Sequence, residues 1–290
     1  MSHTVVDDFD RFGFTRHELL SSSTATAAAP LALVSAPQAA FEVTTLDDVV
    51  DATDGVLSLR EAITLANDTP GRDTITFAPD LFGGRISLAT DLPTITDDLT
   101  IDGDVLNRGP SSIILDGAFD YSAADGGSGA RNVLYISDAE LSVSDVTITG
   151  SGYDAIGASN SKLLLERIAV DGNFYVGGPY GVGGGAGIDI VNSSLSINDS
   201  IITNVRGIRA GSLGLGFRDS DVSISNSSIS NNDLAGIRGI NGNLLISNST
   251  IDSNNGPYLS YGIALRSVNL LLQNSTLANN GNNAYAGNAD

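Results

Sequence analysis

From Leu134 to Leu277 short runs alternate apolar residues with Ser, Thr and Asn, the period-two pattern of strands with one buried face. In the first run the alternation points Leu134, Ile136, Leu141, Val143 and Ile148 inward. The runs repeat. Six segments align without gaps: LSVSDVTITG from Leu141, LLLERIAVDG from Leu163, LSINDSIITN from Leu195, VSISNSSISN from Val222, LLISNSTIDS from Leu244 and LLLQNSTLAN from Leu270. Their starts fall 22, 32, 27, 22 and 26 residues apart. Seven residues before each start stands a second apolar residue: Leu134, Ile156, Ile188, Leu215, Ile237 or Ile263. In later repeats it follows glycine, as in Gly187-Ile188, Gly236-Ile237 and Gly262-Ile263. The fixed offset between these two stretches confines length variation to another corner of the repeat.

Strands this short cannot bury a face alone, but stacking the same strand from successive coils does so. The pattern therefore predicts an all-β fold, a right-handed parallel β-helix with three short strands per coil of ~22 residues. One column is polar: Asp145, Arg167, Asp199, Asn226, Asn248 and Asn274. Like positions lie above one another in a parallel stack, so Asn226, Asn248 and Asn274 are expected to form a side-chain ladder at a turn. Asp199 and Arg167 are expected to pair where that ladder is interrupted. The three asparagines also match the glycosylation acceptor pattern, and their recurrence at one coil position reads as a turn instead.

Upstream the pattern changes. Residues 1–40 read as a disordered leader or a degenerate twin-arginine export signal: Arg16-His17 precede a small-residue tract ending at Ala39-Ala40. Residues 41–118 read as an N-terminal cap with first strands, and 119–290 as the coils. Within the cap, Ser58 followed by Glu61 is a capping box, and Leu59, Ala62, Ile63 and Ala66 share one face of a helix over about 58–67. Such a helix can cover the open edge of the first coil. The C-terminal end carries no comparable cover after Leu277 and is expected to be uncapped, with edge-to-edge self-association as one consequence.

The stretch Leu57-Ser58-Leu59-Arg60-Glu61-Ala62-Ile63 resembles the CSLREAI segment that opens many bacterial surface β-helix proteins, with Leu57 in the cysteine's place. The flanking Val49-Val50-Asp51, Ile75-Thr76-Phe77 and Leu99-Thr100-Ile101-Asp102-Gly103 fit it too. The coils from 133 onward resemble the pectate-lyase-like right-handed β-helix superfamily by pattern. The resemblance implies an exported or cell-surface protein. It implies no activity, because that superfamily holds enzymes, adhesins and inert stalks.

Composition narrows the partners. The 290 residues carry a formal charge of −20, and Lys162 is the sole lysine, which disfavours nucleic acid and anionic lipid. Cysteine is absent, so no disulfide or thiolate metal site exists. No apolar run is long enough to span a membrane as a helix. Both histidines, His3 and His17, lie in the leader.

Three candidate sites remain. Gly184–Asn192 matches one copy of the nonapeptide that binds calcium in tandem repeats, with Asp189 as the ligand, although its Gly187-Ile188 also fills an ordinary strand-opening position. Aromatic residues make up only 6% of the chain, yet Tyr153, Phe174, Tyr175, Tyr180, Tyr258 and Tyr261 gather at the variable corner. There they could stack on sugar faces or simply shield longer loops. For catalysis on a uronate-rich polymer the candidates are Asp154, Asp189, Arg209 and Arg238, which could supply acid–base groups and neutralise a carboxylate. The preferred expectation is a non-catalytic, extracellular or cell-surface module that contacts carbohydrate or mediates adhesion. A polysaccharide lyase or epimerase is the alternative, and no cofactor other than calcium is suggested.

Overall fold

The computed structural model describes residues 38–104, 113–120, 129, 132–175, 185–207, 212–256 and 260–287. It is a parallel β-solenoid. The register is the one read from the repeats. Leu141, Leu163, Leu195, Val222, Leu244 and Leu270 stand above one another. So do Leu134, Ile156, Ile188, Leu215, Ile237 and Ile263. Ile148, Val170, Ile202, Ile229, Ile251 and Leu277 form a third line. The first two lines belong to one 13-stranded sheet and the third to an 8-stranded sheet. In later coils the first two stretches fuse into single strands, Leu213–Ser225, Ala235–Ser247 and Tyr261–Gln273, at the same offset as in the earlier coils.

The inward residues form one continuous core from Val43 to Leu265, and Leu134, Ile136, Leu141, Val143 and Ile148 are all buried in it. At its N-terminal end lies the helix Leu59–Asp68, capped by the reciprocal Ser58–Glu61 pair, with Leu59, Ala62, Ile63 and Ala66 buried. Arg60 fastens this cap. Its Nε and Nη2 each donate to Asp48 at 2.8 Å, and its guanidinium also reaches the carbonyls of Thr90 and Asp91. Leu57 packs against the core where the resembling segment has cysteine. Among the described residues no helix is long and apolar enough to cross a membrane.

Each coil turns at three corners, and each corner uses one left-handed residue. The first column is Asp138, Asn160, Asn192, Asp219, Asn241 and Ser267, the second Asp145, Arg167, Asp199, Asn226, Asn248 and Asn274, and the third runs from Gly150 and Gly172 to Asn204, Asn231, Ser253 and Asn279. Positive φ favours Gly, Asn and Asp, which explains the chain's enrichment in them.

Here the sequence reading needs two corrections. Asn226, Asn248 and Asn274 do stack in line, but they are exposed, and no hydrogen bond joins their side chains to one another. The left-handed bend turns each of them outward and the next residue inward. The coil-to-coil rungs are therefore serines: the hydroxyls of Ser227, Ser249 and Ser275 accept from the backbone N–H groups of Ser200, Ser227 and Ser249 at 3.1 Å. A true asparagine ladder lies at the third corner. Asn232 donates from its side chain to Asn254 Oδ1 at 2.9 Å, and Asn254 likewise to Asn280 Oδ1 at 3.0 Å. Their Nδ2 groups also reach the carbonyls of Ile202, Ile229 and Ile251. The second correction concerns Arg167, which pairs downward with buried Asp145 at 2.7 Å and with Glu166, not with Asp199. Asp199 instead accepts from Asn198.

The asparagine ladder also accounts for the glycine before Ile237. A Cβ on Gly236 would lie 2.7 Å from both Asn254 Nδ2 and the Gly262 carbonyl oxygen, so only glycine fits beside the ladder.

Candidate functional site

Outward residues of the strands opening each coil form two rows. The first runs Tyr135, Gly157, Asp189, Gly216, Arg238 and Ala264. The second, two residues along, runs Ser137, Ser159, Val191, Arg218, Ile240 and Arg266. Arg218, Arg238 and Arg266 are exposed. Glycine on either side of Asp189 makes room for neighbouring side chains. The place a Gly157 Cβ would take is filled by the Tyr135 ring, 2.7 Å away, with Asp154 Oδ2 at 3.8 Å. At Gly216 it is filled by Asp189 itself, whose Oδ1 lies 2.5 Å away.

Asp154 lies beside Gly157 and is only 5% exposed. Its Oδ1 accepts from the Ala186 N–H of the next coil at 2.8 Å, and its own N–H donates to Asn132 Oδ1 at 3.3 Å. Burial pushes its carboxyl well above the usual carboxylate range, and the nearby Asp189 charge adds to this. Asp189 is pushed up to about 6, again by burial, while Arg218, Arg238 and the Ile190 N–H restrain the rise. Two carboxyls thus lie close together, both less acidic than usual because of burial. With Arg218 and Arg238 alongside, the face can exchange a proton and neutralise an anionic group. The partly exposed Tyr135 ring supplies a surface on which a sugar can lie.

Of the residues singled out from sequence, Asp154, Asp189 and Arg238 come together here. Arg209, Tyr180 and Tyr258 lie outside the described residues, as does Gly184 of the nonapeptide. Tyr175 lies in the strand Phe174–Tyr175, which pairs with Arg206–Gly207. Tyr153 immediately precedes Asp154 and is half-buried. Tyr261 packs against the small cluster of Ala186, Leu213 and Ala235 instead of projecting freely. Among the described residues no group of three or more His, Cys, Asp or Glu side chains gathers as metal ligands, and the charged neighbours of Asp189 are Asp154 and two arginines.

Sequence reasoning missed Tyr135 and Arg218. Both were available from the register: Tyr135 occupies the Asp189 column, and Arg218 stands two residues past its neighbour Gly216. A concave surface of about 490 Å³ lies on the adjoining part of the same sheet, lined by Leu164, Ser196, Ser223, Leu245 and Leu271 among others. Asp221 is the single carboxylate in its lining.

No protein-family model matches the chain, and no curated protein does. Solved structures do resemble it. The pectate lyase Pel9A is 16% identical with a TM-score of 0.41, the match covering 80% of this chain and 69% of that one. A double mutant of the periplasmic alginate epimerase AlgG is 14% identical with a TM-score of 0.39, covering 77% and 63%. The pectin methylesterase from Aspergillus niger is 11% identical with a TM-score of 0.33, covering 88% of each chain. No residue's role is carried across from these structures.

Proposed function

We propose that this chain is a carbohydrate-contacting β-helix module, acting outside the cytoplasm or at a cell surface, whose working face is the pair of outward rows around Asp189. One observation carries the reading: a half-buried carboxylate flanked in its row by glycines, with the Tyr135 ring, Asp154 and the guanidiniums of Arg218 and Arg238 on the same face. A flat ring, hydrogen-bonding carboxyls and fixed cations on one face suit an extended polysaccharide. The arginines favour chains bearing carboxylates, although the overall charge of −20 opposes them.

Binding of polygalacturonate, alginate and neutral glucans, each with and without calcium, tests this. Arg238→Ala together with Arg218→Ala is expected to weaken uronate binding at least ~10-fold, the loss of about one charge-assisted contact. Absence of binding to every polymer, or equal binding by the variant, overturns the reading.

A second reading is favoured by the acidity of Asp189. A carboxyl titrating at about 6 is suited to proton transfer at a sugar carbon near neutral pH, as a lyase or epimerase requires. Ultraviolet absorbance of an unsaturated uronate product, or a changed uronate composition after incubation, decides between contact alone and catalysis.

A further inference from the structure

Past the first corner, the outer side of the stack holds the groove of about 490 Å³. It crosses five coils, so its floor runs roughly 19 Å along the rod at about 4.8 Å per coil. The floor is the row Leu164, Ser196, Ser223, Leu245 and Leu271, in which two small residues leave a dip between leucines. One rim is the row Lys162, Ser194, Asp221, Asn243 and Asn269, a single polar side chain per coil. Its amides are held in place. Asn243 donates from its side chain to Asp221 Oδ1 at 2.6 Å, and Asn269 donates to Asn243 Oδ1 at 2.9 Å. Both asparagines are exposed, and each amide has a second N–H to offer.

Charge is nearly absent from the groove. In a chain of net charge −20, its lining holds one cation and one carboxylate, Lys162 and Asp221. Lys162 is paired with Glu140 at 3.3 Å, and Asp221 accepts from Asn243. Nothing between them attracts a polyanion. An alkyl chain laid here would cover the hydroxyls of Ser196 and Ser223 without bonding them, which disfavours a lipid. A peptide would bring backbone groups that need partners, but the strands beneath already bond those of neighbouring coils. A pyranose suits both parts of the groove, with its C–H face over the leucines and its hydroxyls toward the rim.

We propose that this groove is a second ligand site, one that takes an extended, uncharged polysaccharide lying along the rod with about one sugar per coil. The coil spacing is close to the advance of one residue in a straight β-1,4-linked chain, so successive sugars meet the same rim position on successive coils. The site stands apart from the arginine face, which favours uronates, and failure of one leaves the other standing.

Calorimetric titration with β-1,4-linked gluco-, xylo- and manno-oligosaccharides of increasing length, up to the hexaose, tests the proposal. At least one series is expected to bind, with affinity climbing to about four or five sugars as the floor fills and levelling there. Ser196→Leu/Ser223→Leu fills the dip from the solvent side of the sheet. It is expected to weaken the hexaose at least ~10-fold, while the circular dichroism spectrum and the response to hexagalacturonate, which reads the arginine face, stay as in wild type. Asn243→Ala, at an exposed position, should weaken the hexaose by about 3- to 10-fold. Arg218→Ala/Arg238→Ala should bind it as wild type does. No binding by any neutral series, affinity independent of chain length, a filled groove that binds like wild type, equal loss in the arginine variant, or displacement of the hexaose by an equal concentration of palmitate overturns the proposal.

Discussion

Two columns of asparagine run along this solenoid six residues apart, and they do opposite work. Asn226, Asn248 and Asn274 hold the chain in the left-handed bend of the second corner, with their amides exposed. Asn232 and Asn254 are 0% exposed, and their amides bind the coil above and a carbonyl of the coil below. The first column is chosen for its backbone and the second for its side chain. A recurrent residue in a solenoid thus tells which positions are stacked. Whether the side chain or only the bend matters depends on which side of the bend it falls.

The largest effect is expected at Asn254→Ala. It strands the Asn232 N–H and the Ile229 carbonyl in the core and should cost about 3 kcal/mol, read from denaturant unfolding. Asn254→Gly should be no better, and a loss below about 1 kcal/mol for either would mean the buried ladder is dispensable.

Next comes a polar group buried without full compensation. Asp189 has its folded-state pKa raised from 3.8 to about 6, so between those values the folded state holds a proton that the unfolded state has released. Stability then falls as pH rises through that window and levels off above it. Asp189→Asn should remove this slope and stabilise the chain at pH 8 by about 1–2 kcal/mol, with the gain vanishing below pH 4. A gain that is the same at both pH values would contradict the raised pKa.

Ser249→Ala leaves the Ser227 N–H and the Ser247 carbonyl without their rung, and a loss of about 1–2 kcal/mol is expected. The smallest effect sharpens the contrast most. Asn248→Ala should cost about 1 kcal/mol through its left-handed backbone, while Asn248→Gly should be close to neutral. If glycine is as damaging as alanine at 248, the amide there has a role that its exposed position does not reveal.

Most of the fold was legible because burial in a parallel stack demands that like positions align. The starts at Leu141, Leu163, Leu195, Val222, Leu244 and Leu270 became one line of partners, and the capping box at Ser58 and Glu61 became the start of the helix. The expected amide ladder at Asn226, Asn248 and Asn274 gives way to serine rungs one residue on and to the asparagine ladder six residues on. Column identity survives in the letters, but the outward turn imposed by a positive φ at Asn226 and Asn248 does not. The site was half legible. Asp189 and Arg238 share a column that the repeat gives directly, separated by Gly216. Asp154 lies ahead of its strand at the irregular corner, so its approach to Asp189 depends on coil geometry that no period encodes. Arg167 illustrates the same limit: the column lists Asp145 and Asp199 on either side, and only the coordinates decide that it reaches down.

The closed N-terminal end gives the rod a direction in time as well as in space. A ribosome releases the helix Leu59–Asp68 and its fastening Arg60–Asp48 pair before any later coil. Every turn that emerges afterwards finds a finished floor beneath it and needs only its nearest neighbour to settle. The first floor is thus in place while the rest is still being made, and a chain deprived of Arg60 would lack the clamp that holds it there.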